Sequence, residues 1–276
     1  MFIHVAGKHS ILLMTLTEQK IAELGEELFR AEREVRQIKP LTDTVDGITI
    51  EDAYHISKVI LDKRLDAGEV VVGKKIGVTS KVVQDMLNVD QPDFGFLTDK
   101  MVCSANEPMK ISNRLIQPKA EGEIAFVLKS DLKGPNVTAQ DVIDATDYIS
   151  PCFEIVDSRI NDWQIKIVDT VADNASCGLY IISDDRADPR GLDLASLHMK
   201  VFKNGEFLSE GFGSAVQGNP AQAVAWLANT LGEFGIPFLA GEVILSGSLV
   251  PLEPISAGDQ MNLEIENLGS LSVDFS

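Results

Sequence analysis

Apolar positions along the chain follow a helical period first and a strand period later. Over residues 15–38, Ile21, Leu24, Leu28, Ala31 and Val35 recur at three- and four-residue intervals, which predicts one buried helix face. Thr15 with Glu18 offers a capping box at its start, and Pro40 closes it. Thr49 with Asp52 opens a second helix through Ala53, Ile56 and Ile60, ending at Gly68. Residues 70–79 then read as a strand whose alternation puts Lys75, Gly77 and Thr79 on one face, with Ile76 and Val78 on the other. Ser80 caps a short helix, and residues 91–95 read as a loop.

From about Met101 strand signals dominate. Strands are expected within 115–128, 152–157 and 178–182, then in a hairpin over 199–209 that turns on Asn204-Gly205. Closing strands fall at 242–248, 261–266 and 270–275, separated by glycine turns. Two helices interrupt them. One starts at Thr138 with Asp141 and stops before Pro151; the other starts at Asn219-Pro220, buries Val224, Leu227 and Leu231, and ends at Gly235. Residues 169–176 read as a polar loop. The order is a strand-rich α+β one, not a regular βαβ alternation.

Composition narrows the function. At 276 residues, 45% hydrophobic and 24% charged, the chain is an ordinary soluble protein with room for a substantial core. A formal charge of −18 argues against nucleic acid, and it obliges any pocket for an anion to carry its own positive charge. Cys103, Cys152 and Cys177 form no CxxC or Cys/His cluster, so reduced thiols in a cytoplasmic protein are expected. His55 falls in a helix and His198 in a strand, both read as structural, and there is no Gly-x-Ser-x-Gly elbow. Gly211-x-Gly213 does not link a strand to a helix, which excludes a dinucleotide turn. Residues 1–14 are too short to span a membrane and make a poor signal peptide; they read as an extension, followed by an N-terminal portion over 15–104 and a catalytic portion over 105–276.

The candidate chemistry centres on Glu121-Gly122-Glu123. On a strand these two carboxylates share a face, roughly 6–7 Å apart, and repel by about 2–3 kcal/mol at an effective dielectric near 20. Either that face meets solvent or an oxygen-seeking dication such as Mg²⁺ or Mn²⁺ offsets the charge. Glu154 lies in the apolar run Cys152-Phe153-Glu154-Ile155-Val156, where an acid needs a partner, and makes a natural third ligand with Asp157 as its rival. Lys75 suits a pocket wall or an exposed edge, and Asp93 a turn or a working acid.

Several stretches carry a resemblance: KKIGVTS (74–80), QPDFG (91–95), IQPKAEGEIAFVL (116–128), FEIVDSRI (153–160), DTVADNASCG (169–178) and AGEVILSGSLVPLEP (240–254). In this order they resemble the 2-oxopent-4-enoate hydratases, of the hydratase/decarboxylase family within the fumarylacetoacetate hydrolase superfamily. The resemblance implies a mixed β-roll with a smaller helical N-terminal layer, and a Mg²⁺ or Mn²⁺ held by Glu121, Glu123 and Glu154. It further implies Lys75 and Asp93 as acid/base groups, with Gly77, Thr79 and Ser176 lining the substrate pocket. The implied reaction adds water to 2-hydroxypenta-2,4-dienoate, giving 4-hydroxy-2-oxopentanoate, in meta-cleavage breakdown of aromatic compounds. A homo-oligomer and a complex with 4-oxalocrotonate decarboxylase are implied as well. The alternatives are that decarboxylase activity itself, a longer-chain dienoate hydratase, and a non-catalytic supporting subunit. Asp93 favours hydration, because the decarboxylases generally lack that acid. Two departures stand out: Gly122 where many relatives carry alanine, and a bulky, polar segment over 211–217.

Overall fold

In a computed structural model, residues 15–276 are described, except 88 and 106; the extension assigned to residues 1–14 lies outside the described residues. Helices α1 (Glu18–Arg33), α2 (Leu41–Thr44) and α3 (Ile50–Asp66) come first, followed by β1 (Val71–Gly77), α4 (Lys81–Leu87) and β2 (Asp93–Thr98). Next come β3 (Lys119–Leu128), α5 (Ala139–Ala145), β4 (Thr146–Val156), α6 (Ile167–Ala172) and β5 (Leu179–Ile182). The chain closes with β6 (His198–Lys203), β7 (Glu206–Phe212), α7 (Pro220–Glu233), β8 (Val243–Ser248), β9 (Glu253–Pro254), β10 (Gln260–Ile265) and β11 (Gly269–Asp274).

The strands form two sheets. One runs β2-β1-β8-β3-β4-β5, with β9 added against β3; the other runs β11-β10-β6-β7. The β1–β8 pair is parallel and the other pairs antiparallel, so the architecture is mixed α+β. On β3, Ala120, Ile124, Phe126 and Leu128 face the main core. There they meet Met199, Val201 and Leu263 of the second sheet and Val224, Leu227 and Leu231 of α7. Burying each large side chain contributes about 1.5–3 kcal/mol. The opposite face of β3 carries Glu121, Glu123 and Ala125. Ala125 joins Leu97, Cys152, Cys177, Tyr180 and Leu245 in a smaller apolar cluster. The N-terminal helices pack separately, joining Ile21, Leu28, Ile56 and Ile60 to Ile160 and Val171.

Local chemistry explains most boundaries. Thr49 and Asp52 make a reciprocal capping box, as do Thr138 and Asp141, and the Asn219 side chain accepts from Ala221 N. Asn204 (φ 54°) and Gly205 (φ 82°) make the left-handed hairpin turn.

Other expectations need correction. Thr17, not Thr15, caps α1, because Thr15 spends its N and Oγ1 on Asp52. That helix stops at Arg33, and Val35 turns left-handed at φ 51°. The predicted loop at 91–95 contains the start of β2, since Asp93 pairs with Gly77 and Gly95 with Lys75. Strand β1 ends at Gly77; Val78 (φ 55°) breaks the alternation expected through Thr79. The strand expected from 152 begins at Thr146 and passes through Pro151, one residue before pairing with β5 starts at Cys152–Ile182. The predicted polar loop over 169–176 is instead the end of α6 and a 3-10 turn, Asn174–Ser176, and it is buried. Among the described residues no helix is long and apolar enough to cross a membrane.

Candidate functional site: a buried carboxylate triad

The site is built on the β3–β4 pair. Register is unbroken from Lys119 to Val127, so strand alternation carries Lys119, Glu121 and Glu123 to one face, with Glu154 directly opposite Glu121. One carboxylate oxygen from each of Glu121, Glu123 and Glu154 lies within 4.8 Å of the others. Glu123 (0% exposed) and Glu154 (1%) are sealed, whereas Glu121 is half-buried, so solvent reaches the triad from the Glu121 side. Glu123 Oε2 accepts from Gly247 N at 2.9 Å. Gly247 holds φ +107° with Thr79 packed against it, where a Cβ would meet the threonine at 2.5 Å. Glu123 Oε1 and both Glu154 oxygens have no hydrogen-bond partner. Asp157 lies outside the triad; its carboxylate accepts from Ile116 N and Gln117 N at 2.7–3.0 Å.

Lys75 on β1 and Asp93 on β2 approach the triad from the far side of β8. Lys75 Nζ stands 3.2 Å from Glu154 Oε1, as an ion pair without the alignment of a hydrogen bond. Gly77 separates Lys75 from Asp93. A methyl group there would stand 2.3 Å from Asp93 Oδ1 and 3.5 Å from Lys75 Nζ, so the bare glycine is what lets the two side chains approach. Asp93 Oδ1 has no partner, while Oδ2 receives a long 3.5 Å contact from Thr170 Oγ1, itself 3.5 Å from Ser176 Oγ. Gly77 is thus beside Asp93, Ser176 is linked to it through Thr170, and Thr79 is beside the backbone that holds Glu123.

The electrostatics call for a cation. Burial raises Glu123 well above the ordinary carboxylate value, with Glu154 and Glu121 adding to it. Burial and then Glu154 push Glu121 up to about 7. Burial raises Glu154 and Asp93 too, against the pull of Lys75. For Lys75 burial works downward, but Glu154 foremost among its neighbours outweighs it and keeps the ammonium charged. Three buried carboxylates and the half-buried Glu121 against one buried lysine form an uncompensated charge cluster that a protein interior does not hold unaided. Three clustered, oxygen-only donors, with unpartnered oxygens on Glu123 and Glu154, match the preference of Mg²⁺ or Mn²⁺. The residues fit a divalent cation.

A supporting network escaped the sequence reading. Asn174, Ala175 and Ser176 all adopt left-handed φ values of 51–53°, a conformation that costs roughly 1–2 kcal/mol per residue. Two clamps hold it. The Asn174 side chain donates to Phe96 O at 3.0 Å and accepts from Phe96 N at 2.9 Å. The buried Arg159 guanidinium pairs with Asp173 and donates to Asp157 O and Cys177 O at 2.6 and 2.8 Å. These clamps tie the Ser176 turn to the strand that carries Asp93. The only sequence signal was an arginine and two acids within otherwise apolar segments.

The two departures are also placed. A methyl at Gly122 would meet Met199 Sδ at 2.5 Å and Val250 Cγ2 at 3.3 Å, so glycine makes room for that thioether, and an alanine needs the flexible methionine to shift and the valine to yield slightly. Ser214, Ala215 and Gln217 line a surface cavity of about 490 Å³ together with Thr79, Gln84 and Pro92. Another cavity of about 490 Å³ lies at Lys119 and Trp163, and neither contains the triad itself. His55 pairs with Glu51 on α3 and His198 stacks on Phe212, so neither histidine belongs to the site.

The family profile described as fumarylacetoacetate (FAA) hydrolase C-terminal matches residues 67–276. The chain belongs to the fumarylacetoacetate hydrolase family. Within that family it is 60% identical over 259 residues to a 2-hydroxyhexa-2,4-dienoate hydratase of Comamonas testosteroni, spanning 94% of this chain and 98% of that protein. It is also 60% identical over 216 residues to a 2-hydroxypent-2,4-dienoate hydratase of Pseudomonas putida, spanning 78% of this chain and 97% of that protein. Among solved structures it is similar to 4-oxalocrotonate decarboxylase from Pseudomonas putida G7, complexed with magnesium and adipate. The TM-score is 0.90 at 35% identity, covering 96% of this chain and all of that one. The mixed α+β architecture is therefore this family's fold.

Proposed function

We propose that this chain is a divalent-metal-dependent hydro-lyase that adds water to 2-hydroxypenta-2,4-dienoate, giving 4-hydroxy-2-oxopentanoate. One observation carries the reading: the carboxylates of Glu121, Glu123 and Glu154 converge, with unpartnered oxygens on the two buried ones, next to the Lys75 ammonium and a fourth carboxyl group, Asp93. Glu121, Glu123 and Glu154 would hold Mg²⁺ or Mn²⁺. When bound there, the cation supplies Lewis acidity for the carboxylate and 2-oxygen of the substrate.

The chain's own groups handle protons. The dienol first gives up its 2-OH proton and takes one at C5, becoming the conjugated 2-oxo-3-enoate; hydration then takes a proton from water as it attacks C4 and delivers one to C3. Asp93 is suited to taking the proton from water, because Oδ1 is a free acceptor while Thr170 steadies Oδ2. Lys75, kept charged by Glu154, is suited to holding and giving a proton at Nζ. Gly77 keeps the space between them open, and Thr79 and Ser176 contribute hydroxyls to the pocket wall. The sealed position of Lys75 and Asp93 excludes bulk water from competing proton transfers.

Hydration of the six-carbon 2-hydroxyhexa-2,4-dienoate is a second reading, favoured by the 60% identity to a hydratase of that name. Decarboxylation fits less well, since identity to the decarboxylase is 35%. As part of the same proposal the enzyme is cytoplasmic, consistent with three free thiols. It is a homo-oligomer able to meet a 4-oxalocrotonate decarboxylase, and the exposed Phe207, Leu208 and Phe212 on the edge strand β7 support such contacts. The test is a comparison of initial rates on the five- and six-carbon dienoates and on the six-carbon diacid, with and without Mg²⁺. Metal-dependent loss of the dienoates without CO₂ release is expected; activity confined to the diacid would overturn the reading.

A further inference from the structure

We infer that Lys119, seated on the Trp163 ring at the rim of the triad, is the cation that captures the carboxylate end of an incoming 2-oxo or 2-hydroxydienoic acid. The inference rests on the proposed function for the identity of that acid, but on the structure for the capture itself.

Four observations converge on this lysine. Strand alternation, unbroken from Lys119 to Val127, sets it on the same face as Glu121 and Glu123 and next outward along β3. Glu121 is the one acid of the triad that solvent reaches, so Lys119 stands where the site opens. Its ammonium lies 4.4 Å from the centroid of Trp163, and it feels the charge of Glu121 without a salt bridge to a carboxylate among the described residues. A cation held on an aromatic face keeps its charge available to an anion, unlike one already paired. The Trp163 platform is itself built: Asp162 and Trp163 take left-handed φ values of 50° and 56°, and Trp163 Nε1 donates to Gln117 O at 3.0 Å. Successive strained residues of this kind persist where surrounding contacts impose them, often at ligand sites.

Charge makes the role necessary. A protein of net charge −18 repels an approaching carboxylate, and Lys75 is sealed and engaged with Glu154. Lys119 is the half-buried positive group that shares the face of Glu121 and Glu123, outside the sealed interior. The adjoining cavity of about 490 Å³, bounded by Leu115, Gln117, Trp163 and Ile255 as well as Lys119, has space for a short-chain acid.

The chain holds two tryptophans, so a Trp226→Phe background leaves Trp163 as the sole reporter. The Mg²⁺-loaded protein is titrated with 2-oxopentanoate, a saturated acid that cannot be hydrated, and with its methyl ester as a neutral control, following emission. The acid should bind with an emission change and the ester should not. Lys119→Met should weaken acid binding by about tenfold or more, the lower end of the worth of one hydrogen bond to a charged group, and Lys119→Arg should restore it to within about twofold. Added salt should weaken binding to the background protein and leave Lys119→Met little changed. With dienoate as substrate, the same loss should appear in KM, with kcat falling less than about twofold. An intact magnesium-induced thermal shift in Lys119→Met confirms that the variant is folded. Unchanged acid affinity and an unchanged salt profile in Lys119→Met would overturn the inference. Lys119-dependent acid binding without dienoate hydration would sink the proposed function and leave this inference standing.

Discussion

Replacing Glu123 by glutamine should make the metal-free protein more stable and the magnesium-loaded protein less stable than the unaltered chain. The triad oxygens lie within 4.8 Å of one another. Two unit charges at that distance repel by about 3–4 kcal/mol at an effective dielectric near 20. Partial protonation already relieves some of this, since Glu123 is held well above its ordinary pKa by burial and by its two neighbours. Removing the charge should therefore recover about 1–3 kcal/mol. The amide oxygen can still accept from Gly247 N, and the new NH₂ can donate to Glu154, whose oxygens lack partners. For a chain of this size each kcal/mol moves Tm by about 2–4 °C, so the variant in EDTA should melt roughly 3–10 °C higher. Magnesium at a hundredfold excess over Kd stabilises the unaltered protein by about 2.7 kcal/mol, a rise of roughly 5–11 °C. The variant, with one anionic ligand gone, should keep less than about a third of that. Scanning calorimetry across a magnesium series, with EDTA as the zero point, reads both signs. The reasoning fails if Glu123→Gln melts below the unaltered protein in EDTA, or if it keeps the full magnesium shift.

Further outcomes follow from the same geometry. In EDTA, Glu121 is held up to about 7 against an ordinary 4.5, so between these values the folded state binds more protons than the unfolded one. The metal-free Tm should then fall as pH rises through that window, whereas saturating magnesium should reverse the slope; a rising Tm in EDTA would contradict this. Asp93→Asn should keep the magnesium shift and lose about 10²–10⁴ in kcat, measured by dienoate decay. Gly77→Ala, whose methyl would stand 2.3 Å from Asp93 Oδ1, should reproduce that pattern by displacing the carboxyl group without removing it. Asn174→Ala frees the backbone of Phe96 and should lower kcat more than it raises KM, with the magnesium shift intact. An unchanged kcat there would show that the clamp does not position Asp93.

What was legible in the sequence depended on whether the governing interactions were local. The capping pairs Thr49/Asp52 and Thr138/Asp141, the Asn219-Pro220 start and the Asn204-Gly205 turn are set within a few residues, and each appears where its chemistry placed it. The period of two along β3 was enough to put Glu121 and Glu123 on one face, and an acid inside an apolar strand was enough to single out Glu154. What stayed hidden was set by distant partners. Asp93 sits in turn-like composition yet begins a strand, because β1 supplies its hydrogen bonds. Residues 169–176 look solvated, but Asp173 is paired to Arg159 and Asn174 to the Phe96 backbone, so polar residues line a buried turn. Thr15 looked like a cap and is a tether to Asp52. Gly122 had no explanation until Met199, from the other sheet, was seen to fill the space beside it.

The most direct test of the central claim is to mix the purified protein with freshly generated 2-hydroxypenta-2,4-dienoate and follow the dienol absorbance, with magnesium and with EDTA, while monitoring CO₂. Magnesium-dependent decay to 4-hydroxy-2-oxopentanoate, with no CO₂ and with no decay in EDTA, is the predicted result. A stable dienol in the presence of magnesium, alongside decay of the six-carbon diacid with CO₂ release, would contradict it.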